Sequence, residues 1–216
     1  MPALQAVRGL TSPVIHAVSR PARAFTGDFY FTHREGARTW FALGDVAGKG
    51  LPAAIVMAMI QEELELRIAS CASAACDPAT TTRRLHEFLA PLLPSNRFAT
   101  AVLGHLDDDG MLTIVNAGHC PPLLARADGS IEELGSTGPL LGILPSPRWV
   151  SVTRQLAHGD ALVLYSDGVT EATLAGGCEL GVDGLRARVE HRTDHANLLD
   201  GLETHDDVTL VILRRP

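Results

Sequence analysis

The 216-residue chain has no run of basic residues, and its formal net charge is −7. Nucleic acids and anionic membranes are approached through basic surface, so neither is expected as a partner. No apolar stretch is long enough to cross a bilayer. The longest, Leu51 to Ile60, runs into Gln61-Glu62-Glu63, far short of the roughly 20 residues a membrane span requires. The opening "MPALQAVRGLTSP" has no signal-peptide core, so export is not indicated and a cytoplasmic location is expected. Cysteine is scarce. Cys71, Cys76, Cys120 and Cys178 show no CxxC spacing and no histidine at zinc-finger intervals. That excludes a zinc finger and points to reduced, mostly buried thiols.

A nucleotide cradle is missing as well, although "LGDVAGKGLPAA" (43–54) has the look of one. A phosphate-binding P-loop needs a glycine five residues before its Gly-Lys pair and a hydroxyl immediately after it. Leu43 and Gly50 occupy those places, so neither the curled backbone nor the usual Mg²⁺ ligand is available.

What is present is enough apolar sequence, 46% of residues, to bury one sizeable core, and the chain reads as a single domain over 1–216 with 1–13 as a short N-terminal lead-in. Apolar runs bounded by turn residues predict strands at Val14–Val18, Phe29–Thr32, Arg38–Leu43, Phe98–Leu106, Met111–Asn116, Val150–Leu156, Ala161–Tyr165 and Val208–Leu213. A helix is predicted to start at Pro52, with Val56, Ile60, Leu64 and Ile68 in an i+4 row beside Ala53 and Met57. Further helices are expected from Ala79 or Thr80 to Leu89 and from Val182 to Val189. "REGA", "DDDG" and "ADGS" signal hairpin turns. The segment from Gly176 to Asp206 is the least regular and is expected to be mobile surface. Short turns between neighbouring strands imply antiparallel sheet, hence an α+β fold, with helices covering a two-sheet sandwich.

Acidic residues fall where these strands end. A hairpin centred on Gly36-Ala37 makes Asp28 and Asp45 equidistant from its centre and therefore cross-strand neighbours. Directly opposite residues lie about 4.5–5.5 Å apart, close enough to share a cation and repulsive without one. The strand of "ALVLYSDG" runs into Asp167, and Asp206-Asp207 precede the strand of "HDDVTLVIL". Each acid alone also fits a plain role, since Asp-Gly is a common turn pair and Asp-Asp a solvated cap. Together, four aspartates at strand ends without clustered Cys or His describe an oxygen-rich site for Mg²⁺ or Mn²⁺, suited to phosphoryl chemistry.

Six blocks, "TGDFYF" (26–31), "GDVAGKGLPAA" (44–54), "NAGHCPPLL" (116–124), "GPLLGIL" (138–144), "LYSDGVTEA" (164–172) and "DDVTLVILRR" (206–215), occur in this order. In them the chain resembles the bacterial metal-dependent serine/threonine protein phosphatases of the stage II sporulation protein E type. These are PPM-family relatives of protein phosphatase 2C. The resemblance covers the chain from about Val14 to its end. It implies a four-layer α-β-β-α sandwich of two mainly antiparallel sheets flanked by helices, with two Mn²⁺ or Mg²⁺ ions at one end. Asp45 then corresponds to the carboxylate bridging both ions, Val46 lends its backbone carbonyl, Asp167 and Asp206 complete one ion's shell, and Asp28 acts through metal-bound water. Lys49 and His119 correspond to motif positions near the substrate phosphate and leaving group. An exposed turn lysine and a structurally hydrogen-bonded histidine are the alternatives for these two.

The implied reaction is attack of an activated water on a phosphoserine or phosphothreonine, with no phosphorylated side chain on the enzyme. The implied partner is a phosphorylated protein regulator of the STAS-domain, anti-anti-sigma type in a partner-switching pathway. Two departures count: Thr26 replaces the first glycine of the first block, and Phe31 its final acid. They motivate a second reading, a weak or inactive phosphatase fold that sequesters a phosphorylated regulator. A hydrolase of small phosphate esters is a third. No upstream sensor domain fits within the 216 residues, and the segment after Glu171 is shorter than the family pattern.

Overall fold

Alternating side chains along one N-terminal hairpin separate two of the molecule's cores. The computed structural model describes residues 12–22, 25–48, 50–70, 76–94, 97–190 and 197–216. In it β2 (Asp28–Glu35) and β3 (Arg38–Val46) pair antiparallel around Gly36, whose φ of 56° suits the first central position of a primed turn. Phe29, Phe31, Trp40 and Ala42 point one way, while Phe41 and Leu43 point the other. The sheet continues through β4 (Ala99–Asp107), β5 (Met111–Ala117) and β8 (Val152–Gln155), in the order β2-β3-β4-β5-β8.

The second sheet joins distant parts of the chain. Its order is β1 (Val14–Arg20), β12 (Val208–Arg214), β9 (Ala161–Tyr165), β6 (Leu123–Ala125) and β7 (Ile131–Glu133), and every pairing is antiparallel. β9 and β12 are almost wholly buried because both of their faces are covered. On one side they meet the first sheet through Leu162, Leu164, Val211 and Leu213. On the other they meet α3 (Asp167–Thr170) and α4 (Gly181–Glu190) through Val163, Val169, Leu185, Val189 and Ile212.

Helices α1 (Leu51–Ala69) and α2 (Pro78–Leu89) cover the outer face of the first sheet. α1 begins with Pro52 in its first turn and buries Ala53, Ile60, Leu64 and Ile68, the row expected from the sequence. Each fully buried Ile or Leu contributes about 1.5–3 kcal/mol. Asp77 caps α2 by accepting the Thr80 N–H at 3.1 Å and the Ser151 hydroxyl, which ties the helix to the strand β8 region. Four layers, α-β-β-α, thus enclose three apolar interfaces, as anticipated.

Some expectations need correction. The stretch Val150–Leu156 forms a strand only over β8. The all-buried β6 and the short β7 were not expected, because three residues give no periodicity to read. Gly176 to Asp206 is not irregular throughout. It carries α4 and β11 (Leu202–Glu203), which pairs with β10 (Thr173–Leu174), and apolar Leu185, Val189, Leu198 and Leu199 anchor it; 191–196 lie outside the described residues. Cys76 is disulfide-bonded, so the four cysteines are not all reduced thiols. Spacing tests for metal and redox motifs are silent on a structural crosslink. Cys120 is half-buried and Cys178 exposed, while Cys71 lies outside the described residues. No helix among the described residues is long and apolar enough to cross a membrane.

Candidate functional site

The hairpin delivers its two acids face to face. Asp28 and Asp45 are direct register partners on the face that looks toward the second sheet. Gly27, just before Asp28, has to lack a side chain. A Cβ there would stand 2.5 Å from Asp45 Oδ1 and 2.7 Å from the Val46 carbonyl oxygen, so both oxygens converge on the space a side chain would fill.

The second sheet contributes from two strand ends. Asp167 follows β9 and opens α3, and Asp206-Asp207 precede β12. Gly168 lets these ends approach, because a Cβ on it would collide with the Asp207 carbonyl. Asp167 Oδ1 accepts the Gly168 N–H and Asp206 Oδ1 accepts the Asp207 N–H, each at 2.9 Å. Asp207 turns its Oδ1 instead to the Ala22 N–H, at 2.7 Å, beyond the end of β1.

All five aspartates line one open cavity of about 220 Å³, together with Phe25, Gly27 and Gly48. Among the described lining residues there is no lysine, arginine or histidine to balance them. Burial pushes the Asp28 carboxyl up to about 7, with repulsion from Asp45 and Asp207 adding to it against hydrogen bonds from Thr209 and Ser166. Burial likewise raises Asp45 to about 6, reinforced chiefly by Asp167.

The cavity's chemistry fits a hard divalent cation: the donors are carboxylate and carbonyl oxygens, and those of Asp45 and Val46 already converge. The side chains do not yet form a closed ligand cage. Among the described residues, no three Asp, Glu, His or Cys groups are gathered tightly enough to hold an ion as they stand.

The other motif residues fall differently. Lys49 lies outside the described residues. His119 is buried and absent from the cavity lining; its Nδ1 shares a 2.8 Å hydrogen bond with Thr100 Oγ1, and Thr100 is the β4 register partner of Asp45. Burial pulls its imidazole down to about 4, so it is neutral near pH 7. Thr26 keeps the local turn intact by accepting the Asp28 N–H on its hydroxyl at 3.0 Å. Phe31 is buried on the helix-facing side of β2, opposite to Asp28, so an acid there would not face the cavity.

Sequence reasoning missed Thr209 and Ser166. Thr209 Oγ1 donates to Asp28 Oδ2 at 2.8 Å, and Ser166 Oγ accepts the Thr209 N–H at 2.9 Å. Both sit in quoted blocks, but a hydroxyl in a strand carries no signal of its own. Arg97 was also unnoticed; its guanidinium packs where a side chain on Gly48 would project.

Comparison with known proteins gives the family and the fold. The chain is 30% identical over 214 residues to phosphoserine phosphatase RsbU of Bacillus subtilis (strain 168), an alignment covering 93% of this chain and 63% of RsbU. The chain therefore spans less than two thirds of that relative. The structure of the RsbU and RsbW domains of Rv1364c from Mycobacterium tuberculosis superposes with a TM-score of 0.77 at 27% identity, covering 95% of this chain and 61% of that one. RsbX, solved in complex with magnesium, superposes with the same score at 17% identity over 98% of this chain and 100% of its own, a likeness of fold. The family description "Stage II sporulation protein E (SpoIIE)" matches residues 35–216, the region that carries all but one of the cavity's aspartates and most of both sheets. The chain therefore belongs to the stage II sporulation protein E (SpoIIE) family.

Proposed function

We propose that the chain is a Mn²⁺- or Mg²⁺-dependent protein serine/threonine phosphatase acting on a phosphorylated protein regulator. The observation that carries this reading is the convergence of five aspartates from two sheets on one cavity whose described lining holds no basic side chain. Asp45 and the Val46 carbonyl would hold the cations from the hairpin side, Asp167 and Asp206 from the other, with Asp28 beside them. Asp206 is taken as the ligand over Asp207: each accepts one amide on its Oδ1, but that of Asp207 comes from Ala22 beyond the end of β1, whereas that of Asp206 comes from the next residue in the chain. When bound, two such ions lower the pKa of a water and draw charge from the phosphoryl oxygens.

The chain's own residues favour direct transfer to water. Ser166 is fully buried and spends its oxygen on the Thr209 amide, so it does not serve as a nucleophile. Burial and the nearby Asp167 push the Cys120 thiol up to about 12, which removes a cysteine route. His119, neutral and turned to Thr100, supports the β4 strand beside Asp45 rather than donating a proton to the leaving group. A regulator of the STAS-domain type in a partner-switching pathway is the proposed substrate, by analogy with relatives carrying RsbU and RsbW domains. Thr26 and Phe31 leave the acid cluster intact, which favours the enzyme over the binding-only reading.

The test is phosphate release from a phosphoserine-bearing STAS protein, a phosphoserine peptide and a small aryl phosphate, with Mn²⁺, with Mg²⁺ and with chelator. Metal-dependent turnover that is greatest on the protein substrate is expected. Turnover insensitive to chelator, or none with either metal, refutes the reading.

A further inference from the structure

The two halves of the acid cluster belong to different sheets, and a buried side-chain hydrogen bond joins them. Thr209, on β12, donates its hydroxyl across the sandwich to Asp28 Oδ2, on β2, at 2.8 Å. Thr209 is 1% exposed and Asp28 6%. Thr209 is itself held firmly. Its N–H donates to Ser166 Oγ, its carbonyl accepts the Ser166 N–H, both at 2.9 Å, and Ser19 Oγ lies 3.5 Å from its hydroxyl.

Ser166 immediately precedes Asp167, and Thr209 stands three residues after Asp206. The reciprocal Ser166–Thr209 pair therefore locks together the strand ends that carry Asp167 and Asp206. From this unit the Thr209 hydroxyl reaches over to the hairpin's acid. A carboxylate buried on the opposite sheet has few ways to be kept at a defined height, and a short hydrogen bond from a rotamer-restricted threonine is one of them.

We propose that Thr209 is a positioning residue. Its hydroxyl fixes Asp28 level with Asp167 and Asp206, and so sets the spacing between the hairpin half and the strand-end half of the cluster. The proposal rests on the metal-centre reading above. Valine has nearly the same shape as threonine but no donor, so Thr209→Val retains the packing and removes the larger of the two hydroxyl interactions that hold Asp28, leaving that of Ser166. Thr209→Ser retains the donor and sacrifices the methyl group.

The experiment is calorimetric titration of the purified chain with MnCl₂, alongside thermal melts in chelator. Partners that orient metal ligands typically change affinity by about 10–100-fold, so Thr209→Val is expected to weaken Mn²⁺ binding by that factor, with Thr209→Ser within about threefold of the parent. If Thr209→Val does not melt cooperatively, Thr209→Ala is titrated in its place against the same serine variant. Parent-like Mn²⁺ affinity in the valine variant overturns the positioning role while leaving the metal centre standing. Equal loss in the serine and valine variants also overturns it, because packing rather than the hydroxyl would then be responsible. A parent chain that binds no Mn²⁺ removes the metal-centre reading and this proposal with it.

Discussion

The acid cluster has two unlike halves. Asp28 and Asp45 are register partners within one hairpin, and their carboxyls are raised to about 7 and about 6 chiefly by burial. Asp167 and Asp206 are exposed, stand at the ends of strands far apart in sequence, and each already accepts a neighbouring amide. The hairpin half is preorganised and electrostatically unfavourable without a cation. The strand-end half is solvated and depends on tertiary pairing to be there at all. The difference teaches where a metal would do most for the fold, since buried like charges gain most from a counter-ion.

The sharpest way to break this comparison is Asp45→Asn. It is expected to lower metal-dependent phosphatase turnover on the order of 10³-fold, measured as phosphate release. The same variant should raise the stability of the chelated protein by roughly 1–3 kcal/mol, because it removes a half-buried charge repelled by Asp167. Asp167→Asn, at an exposed position, should shift it by no more than about 0.5 kcal/mol. Equal stability changes in chelated melts would erase the distinction between the halves.

Next comes Gly27→Ala. Its methyl group enters the space on which Asp45 Oδ1 and the Val46 carbonyl converge. Mn²⁺ affinity should fall by about 10–100-fold in a titration, a perturbation comparable to losing a ligand-orienting partner.

The comparison also has a pH signature in the metal-free protein. Asp28 and Asp45 have folded values above the ordinary 3.8, so the folded state holds more protons from about 7 down to about 4, and their contribution to stability rises as pH falls. His105 and His119 run the other way. Burial lowers both to about 4, so the unfolded state takes up protons first, and stability present above 6.5 is lost as pH falls toward 4. The four groups largely offset one another in the parent chain. Asp28→Asn combined with Asp45→Asn removes only the carboxylate part, and the double variant's melting temperature should therefore fall more steeply than the parent's between pH 7 and 4. Parallel pH profiles would contradict this assignment.

The smallest effect is expected at Thr26→Gly, which restores the family's usual residue. It gives up the hydroxyl that accepts the Asp28 N–H, a loss of about 0.5–1.5 kcal/mol in thermal or urea melts, with metal affinity changed by less than about threefold.

Much of this site was legible before any coordinates. The 2-residue period of the strands and a turn centred at Gly36-Ala37 were enough to pair Asp28 with Asp45, because hairpin register follows from local geometry. Pro52 and the i+4 row placed α1 for the same local reason. The strand ends at Asp167 and Asp206 could be read singly, and their convergence with the hairpin pair was expected from the placement of four acids at strand ends, though no local pattern specifies the pairing that achieves it.

That union was decided by the tertiary structure. β1, β12 and β9 become neighbours only through long-range pairing, and no local pattern specifies which strands share a sheet. The bond from Thr209 to Asp28, the withdrawal of His119 into the interior, and Asp207's commitment to Ala22 all depend on how two sheets stack. The sequence by itself determined the hairpin, the helix starts and the kinds of donor available, since these arise from dihedral preference and periodicity within a few residues. Which carboxylates face one another across the sandwich, and which are buried enough to need a cation, follows from packing of segments more than a hundred residues apart, where burial and not local preference sets the energies.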